Sequence, residues 1–127
     1  MRLLLDTQAL LWWFEGGERL SRTARQAIAA SESEVSVPIV AVWELAIKTA
    51  IGKLDAQALL DGAEQRFRSI GFQVMAVTLD HALRVASLPT HHKDPFDRML
   101  VAQAQAESLT IVSSDPIFER YGVRRLW

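Results

Sequence analysis

The chain has 127 residues, of which half are hydrophobic and 23% are charged. This length and composition predict a single folded domain over residues 1–127 and exclude an intrinsically disordered chain. The formal net charge of −1 argues against a protein that holds nucleic acid by bulk positive charge. No apolar run approaches the ~20 residues that a membrane-spanning helix needs, so we expect no membrane partner.

The amino-terminal sequence and the lack of cysteine favour a cytoplasmic protein. The segment MRLLLDT reaches a carboxylate at Asp6, which is too early for a secretory signal. Without cysteine there is no disulfide framework and no thiolate metal site. We therefore expect a cytoplasmic protein.

The first half of the chain alternates short apolar runs with helical patterns. We predict, in order, a strand over residues 2–5, a helix over 7–14, a helix from the cap Ser21 to about residue 30, a strand over 34–37, and a nearly all-apolar helix over 39–51 that Gly52 ends. Because that last helix is apolar on almost every side, we expect it to be buried.

The second half continues the alternation. We predict a helix from the cap Asp55 to about residue 70, a strand over 72–77, a helix from the cap Thr78 to about residue 88, a helix from Asp94 to about residue 107, a strand over 109–113, a short helix after Pro116, and a strand over 123–126. Strands separated by helices predict an α/β sandwich with a mainly parallel sheet covered on both faces.

Two aspartates lie where predicted strands end. Asp6 follows the first strand, and Asp115 lies two residues after the strand over 109–113. Ligands of parallel sheets bind beyond the carboxyl ends of the strands. Each aspartate alone is explained by capping of the next helix. The two together, at one edge of the sheet, favour a site.

Two further carboxylates have local explanations of their own. Glu44 interrupts the apolar segment IVAVWELAIKTAI, and Lys48 four residues later offers it an ordinary ion pair. Asp97 lies in the first turn of the helix that Asp94 caps, where a carboxylate also suits the helix dipole. For each of these residues alone, the sequence does not distinguish a purely structural role from a role in a functional site.

The four carboxylates together indicate a cation. Clustered carboxylates raise each other's pKa by repulsion, which a divalent cation relieves. Mg²⁺ prefers a few carboxylate oxygens, keeps several waters and binds phosphate oxygens. The residues therefore point to metal-assisted phosphodiester chemistry.

The chain resembles PIN-domain ribonucleases, most closely the VapC-like toxins of bacterial toxin–antitoxin pairs. The resemblance covers essentially the whole sequence and rests on five segments in order: LLLDTQALLWW, VWELAIK, HKDPFDRMLVAQA, TIVSSDPIF and YGVRRLW. It implies a three-layer α/β/α sandwich. Gln8 departs from the His or Ser that close relatives often carry at that position, which affects what lines the cleft.

Position by position, the family's acidic quartet falls on Asp6, Glu44, Asp97 and Asp115. The resemblance implies that these residues hold one or two Mg²⁺ or Mn²⁺ ions, with Asp6, Asp97 and Asp115 as ligands and Glu44 positioning a second metal or a water. Thr7, Ser113 and Asp94 are candidate supports.

The implied activity is endoribonuclease cleavage that leaves a 5′-phosphate and a 3′-hydroxyl. The implied partners are an RNA substrate, a small VapB-like antitoxin and a second copy of the chain. The main alternative is a catalytically silent PIN-like domain that binds RNA or protein. A phosphorylation-controlled receiver domain is disfavoured because Thr7 follows Asp6, and an aspartyl phosphatase is disfavoured because Gln8 stands where a second aspartate is needed.

Several other residues could have a functional role or an ordinary structural one. His91 and His92 are predicted to be solvated loop residues rather than metal ligands. Trp12 and Trp13 are predicted to pack in the core or at a dimer contact rather than to stack on bases. For Arg98, beside Asp97, the sequence does not decide between contact with phosphate and pairing with an acid.

Overall fold

The computed structural model describes all 127 residues and contains one sheet of five strands. In chain order the strands are β1 (Arg2–Leu5), β2 (Glu34–Pro38), β3 (Gln73–Met75), β4 (Thr110–Val112) and β5 (Arg125–Leu126). Every neighbouring pair is parallel, and the order across the sheet is β3-β2-β1-β4-β5. The predicted parallel sheet is confirmed.

Seven α-helices and one 3-10 helix connect the strands. They are α1 (Thr7–Glu15), α2 (Arg22–Ala29), α3 (Ile39–Ala50), α4 (Gln57–Leu60), α5 (Ala63–Ser69), α6 (Leu79–Val85), α7 (Pro95–Glu107) and the 3-10 helix Pro116–Tyr121. None of these helices combines the length and the hydropathy that crossing a membrane requires.

The helices cover both faces of the sheet, and the predicted α/β/α layering is confirmed. Side chains of β1 alternate between the faces: Leu3 and Leu5 pack in one core cluster, while Leu4 packs in the other. The first cluster includes residues from α1 to α5, and the second includes residues from α7 and the 3-10 helix. This alternation follows from the two-residue period of a strand.

The strand order creates a crevice between β1 and β4. The chain moves outward from β1 to β2 and β3, and then returns to the other side of β1 as β4. Connections that leave two neighbouring parallel strands in opposite directions open a cleft at their carboxyl ends. Leu5 pairs with Val112, so the residues after these two strands lie side by side at the cleft.

The prediction of one helix over residues 55–70 is wrong. The chain forms α4 and α5 instead, because Gly62 adopts a left-handed backbone with φ of 67° between them. Asp55 still accepts a hydrogen bond from the backbone N–H of Gln57 at 3.1 Å. Asp55 nevertheless lies one residue before the N-cap, which is Ala56, so the predicted side-chain cap of this helix is also wrong.

The prediction that α3 is buried on nearly all sides is also wrong. Trp43 is 58% exposed and Ile39 is 45% exposed, and the ring of Trp43 meets that of Phe96 edge-on at 5.4 Å. These residues, with Val74 and Val77, form a surface that we call the apolar strip. It contains a groove of ≈ 540 Å³ between α3, α6 and the start of α7.

We predict that Gly62→Ala destabilises the protein by about 1–2 kcal/mol, because an L residue pays this cost in the left-handed region. A Cβ at position 62 would meet no atom within 4 Å, so the effect would come from the backbone alone. Urea unfolding measures the difference in the free energy of unfolding.

Gly17→Ala is the matched control for this prediction. Gly17 also has open space around it, but its φ is not positive. Replacing such a glycine leaves stability unchanged or raises it by about 0.4–1 kcal/mol. Equal effects of the two substitutions would contradict the assignment of the helix break to Gly62.

Candidate metal-dependent active site

Asp6 occupies the point where β1 gives way to α1. Its backbone N–H donates to the carbonyl of Val112 at 3.1 Å, which extends the β1–β4 pairing by one residue. Its Oδ1 accepts from the N–H of Ala9 at 2.8 Å and caps α1. The side chain is only 7% exposed. The same hydrogen bonds that start the helix therefore hold a buried carboxylate at the cleft.

The charge of Asp6 is unfavourable in this environment. Its pKa is raised from 3.8 to about 6, chiefly by burial and in smaller part by the neighbouring carboxylates of Glu44 and Asp115. Hydrogen bonds with the Ser113 hydroxyl and the Ala9 amide oppose the rise. The pairing of Leu5 with Val112 and the hydrogen bond from Thr7 to Glu44 place these acids at the same cleft.

Glu44 is buried and already has two partners. Thr7 Oγ1 donates to Glu44 Oε1 at 2.6 Å, and Lys48 Nζ lies 2.6 Å from Glu44 Oε2. The ordinary ion pair with Lys48 is thus present, but on a buried carboxylate rather than on a surface stripe. The hydrogen bond with Glu44 raises the pKa of Lys48, and the carboxylates of Asp94 and Asp97 add to that effect. Lys48 therefore supplies a positive charge inside the acidic cluster.

Asp94 and Asp97 have different roles at the start of α7. Asp94 Oδ1 accepts from the N–H of Asp97 at 2.9 Å, so Asp94 is the cap that the sequence predicts. The Asp97 side chain is partly buried beside it. The pKa of Asp97 is raised to about 6, chiefly by burial and in smaller part by the carboxylates of Asp94 and, more weakly, Asp6. Asp97 therefore belongs to the same group of acids as Asp6.

Ser113 and Asp115 form the opposite wall of the cleft, after β4. Ser113 is fully buried, and its Oγ accepts from the backbone N–H of Asp115 at 3.0 Å. Asp115 Oδ1 in turn accepts from the N–H of Ile117 at 2.9 Å and caps the 3-10 helix. The Asp115 side chain is exposed, so it faces the cleft opening rather than the core.

The fold thus brings the four carboxylates to one edge of the sheet, with Asp6 electrostatically coupled to the other three. No three His, Asp or Glu side chains are arranged to hold a metal ion directly. Capping of α1 occupies one oxygen of Asp6, and Lys48 and Thr7 occupy both oxygens of Glu44. The donor chemistry fits a hard cation, because every group is an oxygen and the acids repel one another. Side-chain rotation would be needed to complete a coordination shell.

The two histidines lie in the loop before α7, as expected, but they are partly buried against Tyr121 rather than solvated. The ring of His91 packs edge-on against Tyr121, with centroids 4.8 Å apart. The ring of His92 lies between two polar groups: its Nε2 is 3.2 Å from Asp97 Oδ2, and its Nδ1 is 2.7 Å from the Tyr121 hydroxyl. The sequence offered only the proximity of HHKD to Asp97, and nothing in it linked Tyr121 to position 92.

Arg98 forms no ion pair with an acid, and its partners are backbone carbonyls and a tyrosine hydroxyl. Its guanidinium donates to backbone carbonyls of the segment between α6 and α7, most closely to Pro89 at 2.8 Å, and to the Tyr121 hydroxyl at 3.1 Å. Weaker contacts reach the carbonyls of Val85, Leu88 and His92. Arg98 therefore fixes the loop that carries His92.

The two tryptophans pack against the protein core, as predicted. The rings of Trp12 and Trp127 lie 5.8 Å apart, and those of Trp13 and Phe72 lie 5.9 Å apart. Arg25 also lies over the Trp13 ring. These contacts leave no tryptophan of α1 free to form a base-stacking platform in the cleft.

We predict that Asp6→Asn stabilises the metal-free protein at pH 7.5 by up to about 3 kcal/mol. The folded-state pKa of about 6 exceeds the unfolded value of 3.8, so the wild type loses stability as pH rises through this interval. Asparagine stays neutral and keeps the oxygen that accepts from Ala9. Urea unfolding in EDTA at pH 4 and pH 7.5 measures the difference.

The predicted gain should largely disappear at pH 4, where most of the wild-type carboxyl is protonated in the folded state. Asp80→Asn is the matched control, because Asp80 is an exposed acid paired with Arg84 on α6. Its effect should be small at both pH values. A loss of stability in Asp6→Asn at pH 7.5 would contradict the assigned cost of the buried charge.

Comparison with known proteins agrees with this geometry. The family model of the PIN domain matches residues 3–124. No curated protein matches the chain significantly in sequence.

Solved structures share its fold at low sequence identity. VapBC2 from Rickettsia felis, bound to a DNA fragment from its promoter, is 14% identical with a TM-score of 0.71, covering 98% of this chain and 97% of that one. DNA-bound VapBC from Salmonella typhimurium is 19% identical with a TM-score of 0.71, covering 98% and 96%. A toxin–antitoxin complex from Klebsiella pneumoniae is 20% identical with a TM-score of 0.62, covering 90% and 87%. With the family model spanning nearly its whole length, the chain belongs to the PIN-domain family.

Proposed function

We propose that the protein is a metal-dependent endoribonuclease that acts as the toxin of a toxin–antitoxin pair. The observation that carries the proposal is the group of four carboxylates at the β1–β4 cleft, in which Asp6 is buried and coupled to the other three. Such a group is costly in a protein that makes no use of it. Membership of the PIN-domain family supports the nuclease assignment.

Asp6, Asp97 and Asp115 would hold Mg²⁺ or Mn²⁺, one or two ions per site, with Glu44 at the back of the cleft. When bound, the ion supplies a water of lowered pKa and stabilises negative charge on the phosphodiester. All four side chains offer the carboxylate oxygens that these cations prefer. The raised pKa values of Asp6 and Asp97 support the site, because a cation would offset the repulsion that contributes to them.

Neighbouring residues of the chain would orient these carboxylates. Thr7 holds one oxygen of Glu44, and Lys48 neutralises the other. Ser113 accepts a hydrogen bond from the backbone N–H of Asp115, and its hydroxyl lowers the pKa of Asp6 on the other wall of the cleft. Asp94 fixes the first turn of α7, on which Asp97 lies. These contacts would keep the acids in place when RNA enters.

The choice of RNA and of an antitoxin partner follows from the resemblance to VapC-like toxins. Structures with the same fold include VapBC proteins and a toxin–antitoxin complex, which supports a small VapB-like antitoxin as the partner. The alternative is a PIN-like domain that binds RNA or protein without cutting. The absence of a preformed three-ligand group is the observation that keeps this alternative open.

We predict that the purified protein cleaves end-labelled single-stranded RNA in Mn²⁺ or Mg²⁺ and not in EDTA. Asp97→Asn should lower the cleavage rate at least ~100-fold, because the substitution removes one proposed metal ligand. Asp80→Asn, an exposed acid paired with Arg84, is the matched control and should cleave at the wild-type rate.

Equal cleavage by Asp97→Asn and the wild type would place the activity elsewhere or in a contaminant. If the wild type cleaves neither this RNA nor RNA extracted from cells that express it, and Mn²⁺ leaves its melting temperature unchanged, the silent binding domain is the better assignment.

We also propose that two copies associate through the apolar strip. Its exposed large side chains, Trp43 above all, lie beside a groove of ≈ 540 Å³ whose lining is mostly hydrophobic. A projecting aromatic residue next to an apolar groove provides the self-complementary surface that a two-fold interface needs. The resemblance to VapC-like toxins favours a second copy as the occupant.

We predict that light scattering gives the wild type about twice the protomer mass of 14.2 kDa. Trp43→Glu should shift the mass to that of the protomer, because a buried unpaired charge is costly at an interface. Ile51→Glu, at an exposed position beyond the end of α3, is the matched control and should leave the dimer intact. A wild type of about 14 kDa would contradict the proposal.

A further inference from the structure

The loop before α7 joins three polar side chains in a row. The hydroxyl of Tyr121, in the 3-10 helix, lies 2.7 Å from Nδ1 of His92, and Nε2 of the same ring lies 3.2 Å from Oδ2 of Asp97. Both His92 and Asp97 are about one-fifth exposed, so solvent competes little for these contacts. Through His92, the proposed metal ligand Asp97 is linked to Tyr121 in the 3-10 helix that follows Asp115.

The hydrogen-bond donors around the Tyr121 hydroxyl determine which ring nitrogen of His92 carries the proton. Arg98 donates to the hydroxyl oxygen at 3.1 Å, and the backbone N–H of His92 donates to it at 3.3 Å. These two donors occupy both lone pairs, so the hydroxyl hydrogen is left to donate to Nδ1. Nδ1 is therefore the acceptor, and the proton of the neutral ring lies on Nε2, where it donates to Asp97.

His92 is the one side chain that hydrogen-bonds the carboxylate of Asp97. Asp94 is close enough to repel that carboxylate, and its own hydrogen bond is to the backbone of Asp97. Without the histidine, no side-chain hydrogen bond would fix the orientation of the Asp97 carboxylate. With it, one oxygen is fixed and the other stays free for a ligand.

We propose that His92 is a positioning residue that orients Asp97 for metal binding, and that the Tyr121 hydroxyl selects the ring tautomer able to do so. This inference rests on the proposed function, in which Asp97 holds the metal. It assigns to His92 an action through Asp97 rather than direct contact with metal or RNA. Hydrogen bonds to ligating carboxylates are worth about 10–100-fold in metal affinity or activity.

Two amide substitutions test the two ring nitrogens of His92 separately. His92→Gln places an amide near the position of Nε2 and keeps a donor for Asp97. His92→Asn places the amide near the position of Nδ1, where it reaches Tyr121 but not Asp97. We expect His92→Asn to weaken the binding of Mn²⁺ alone, measured by calorimetry, by about 10–100-fold, and His92→Gln to stay within a few-fold of the wild type.

His91→Asn is the matched control. The His91 ring contacts Tyr121 edge-on but hydrogen-bonds no carboxylate, so its removal should leave Mn²⁺ affinity unchanged. Thermal melting without metal checks that all variants fold. Excess Mn²⁺ should restore RNA cleavage by His92→Asn, because the substitution weakens metal affinity and leaves all four acids in place.

A second measurement tests the tautomer directly. Imidazole ¹⁵N spectra of the metal-free wild type should show a protonated Nε2 and an unprotonated Nδ1 for His92. Tyr121→Phe keeps the ring but removes the hydroxyl, and should yield a mixture of tautomers. A wild-type ring with its proton on Nδ1 would overturn the inference.

The binding results distinguish this inference from the proposed function. If the wild type binds Mn²⁺ and cleaves RNA but His92→Asn binds Mn²⁺ equally well, the positioning role is wrong and the nuclease stands. If the wild type binds no Mn²⁺ and Asp97→Asn changes nothing, the proposed function fails and the positioning role fails with it.

Discussion

The buried carboxylate of Asp6 is the constraint on which the site depends. It follows the central strand β1, which has β2 on one side and β4 on the other, so protein surrounds it and burial raises its pKa to about 6. Its backbone N–H extends the sheet to Val112, and its side chain begins α1. Asp6 therefore extends the pairing of the central strand, begins α1 and supplies a buried charge to the cleft.

The sequence predicted the architecture well because the relevant signals are local. Short apolar runs between capped helices place every strand within a few residues, and the caps Ser21, Thr78 and Asp94 all accept the expected backbone hydrogen bonds. The two errors have physical reasons. Helical periodicity does not reveal that Gly62 takes a left-handed conformation. The sequence of an all-apolar helix is the same whether its outer face is buried in the protein or exposed as a surface for a partner.

The sequence predicted the acids of the site and three candidate supports, Thr7, Ser113 and Asp94, but not which atoms contact one another. Strand ends and the family resemblance identify the four carboxylates, whose catalytic role remains a prediction. The partners that hold them come from distant segments: Thr7 reaches Glu44, and Tyr121 reaches His92. Such contacts depend on how helices cross the sheet, which residue spacing does not encode. Lys48 was visible as a helical neighbour of Glu44, but its place amid the acids appears only in three dimensions.

The pairing of β1 with β4 also has a consequence for synthesis. Leu3 pairs with Thr110, so one edge of β1 stays unpaired until almost the entire chain has been synthesised. Until then a nascent chain would expose that edge of β1 to water, and Asp6 would lack the Ser113 hydroxyl that lowers its pKa. A ribosome-bound fragment would therefore carry the early carboxylates without an assembled cleft. If the chain is the ribonuclease proposed above, it would be unable to cleave its own message before translation nears its end.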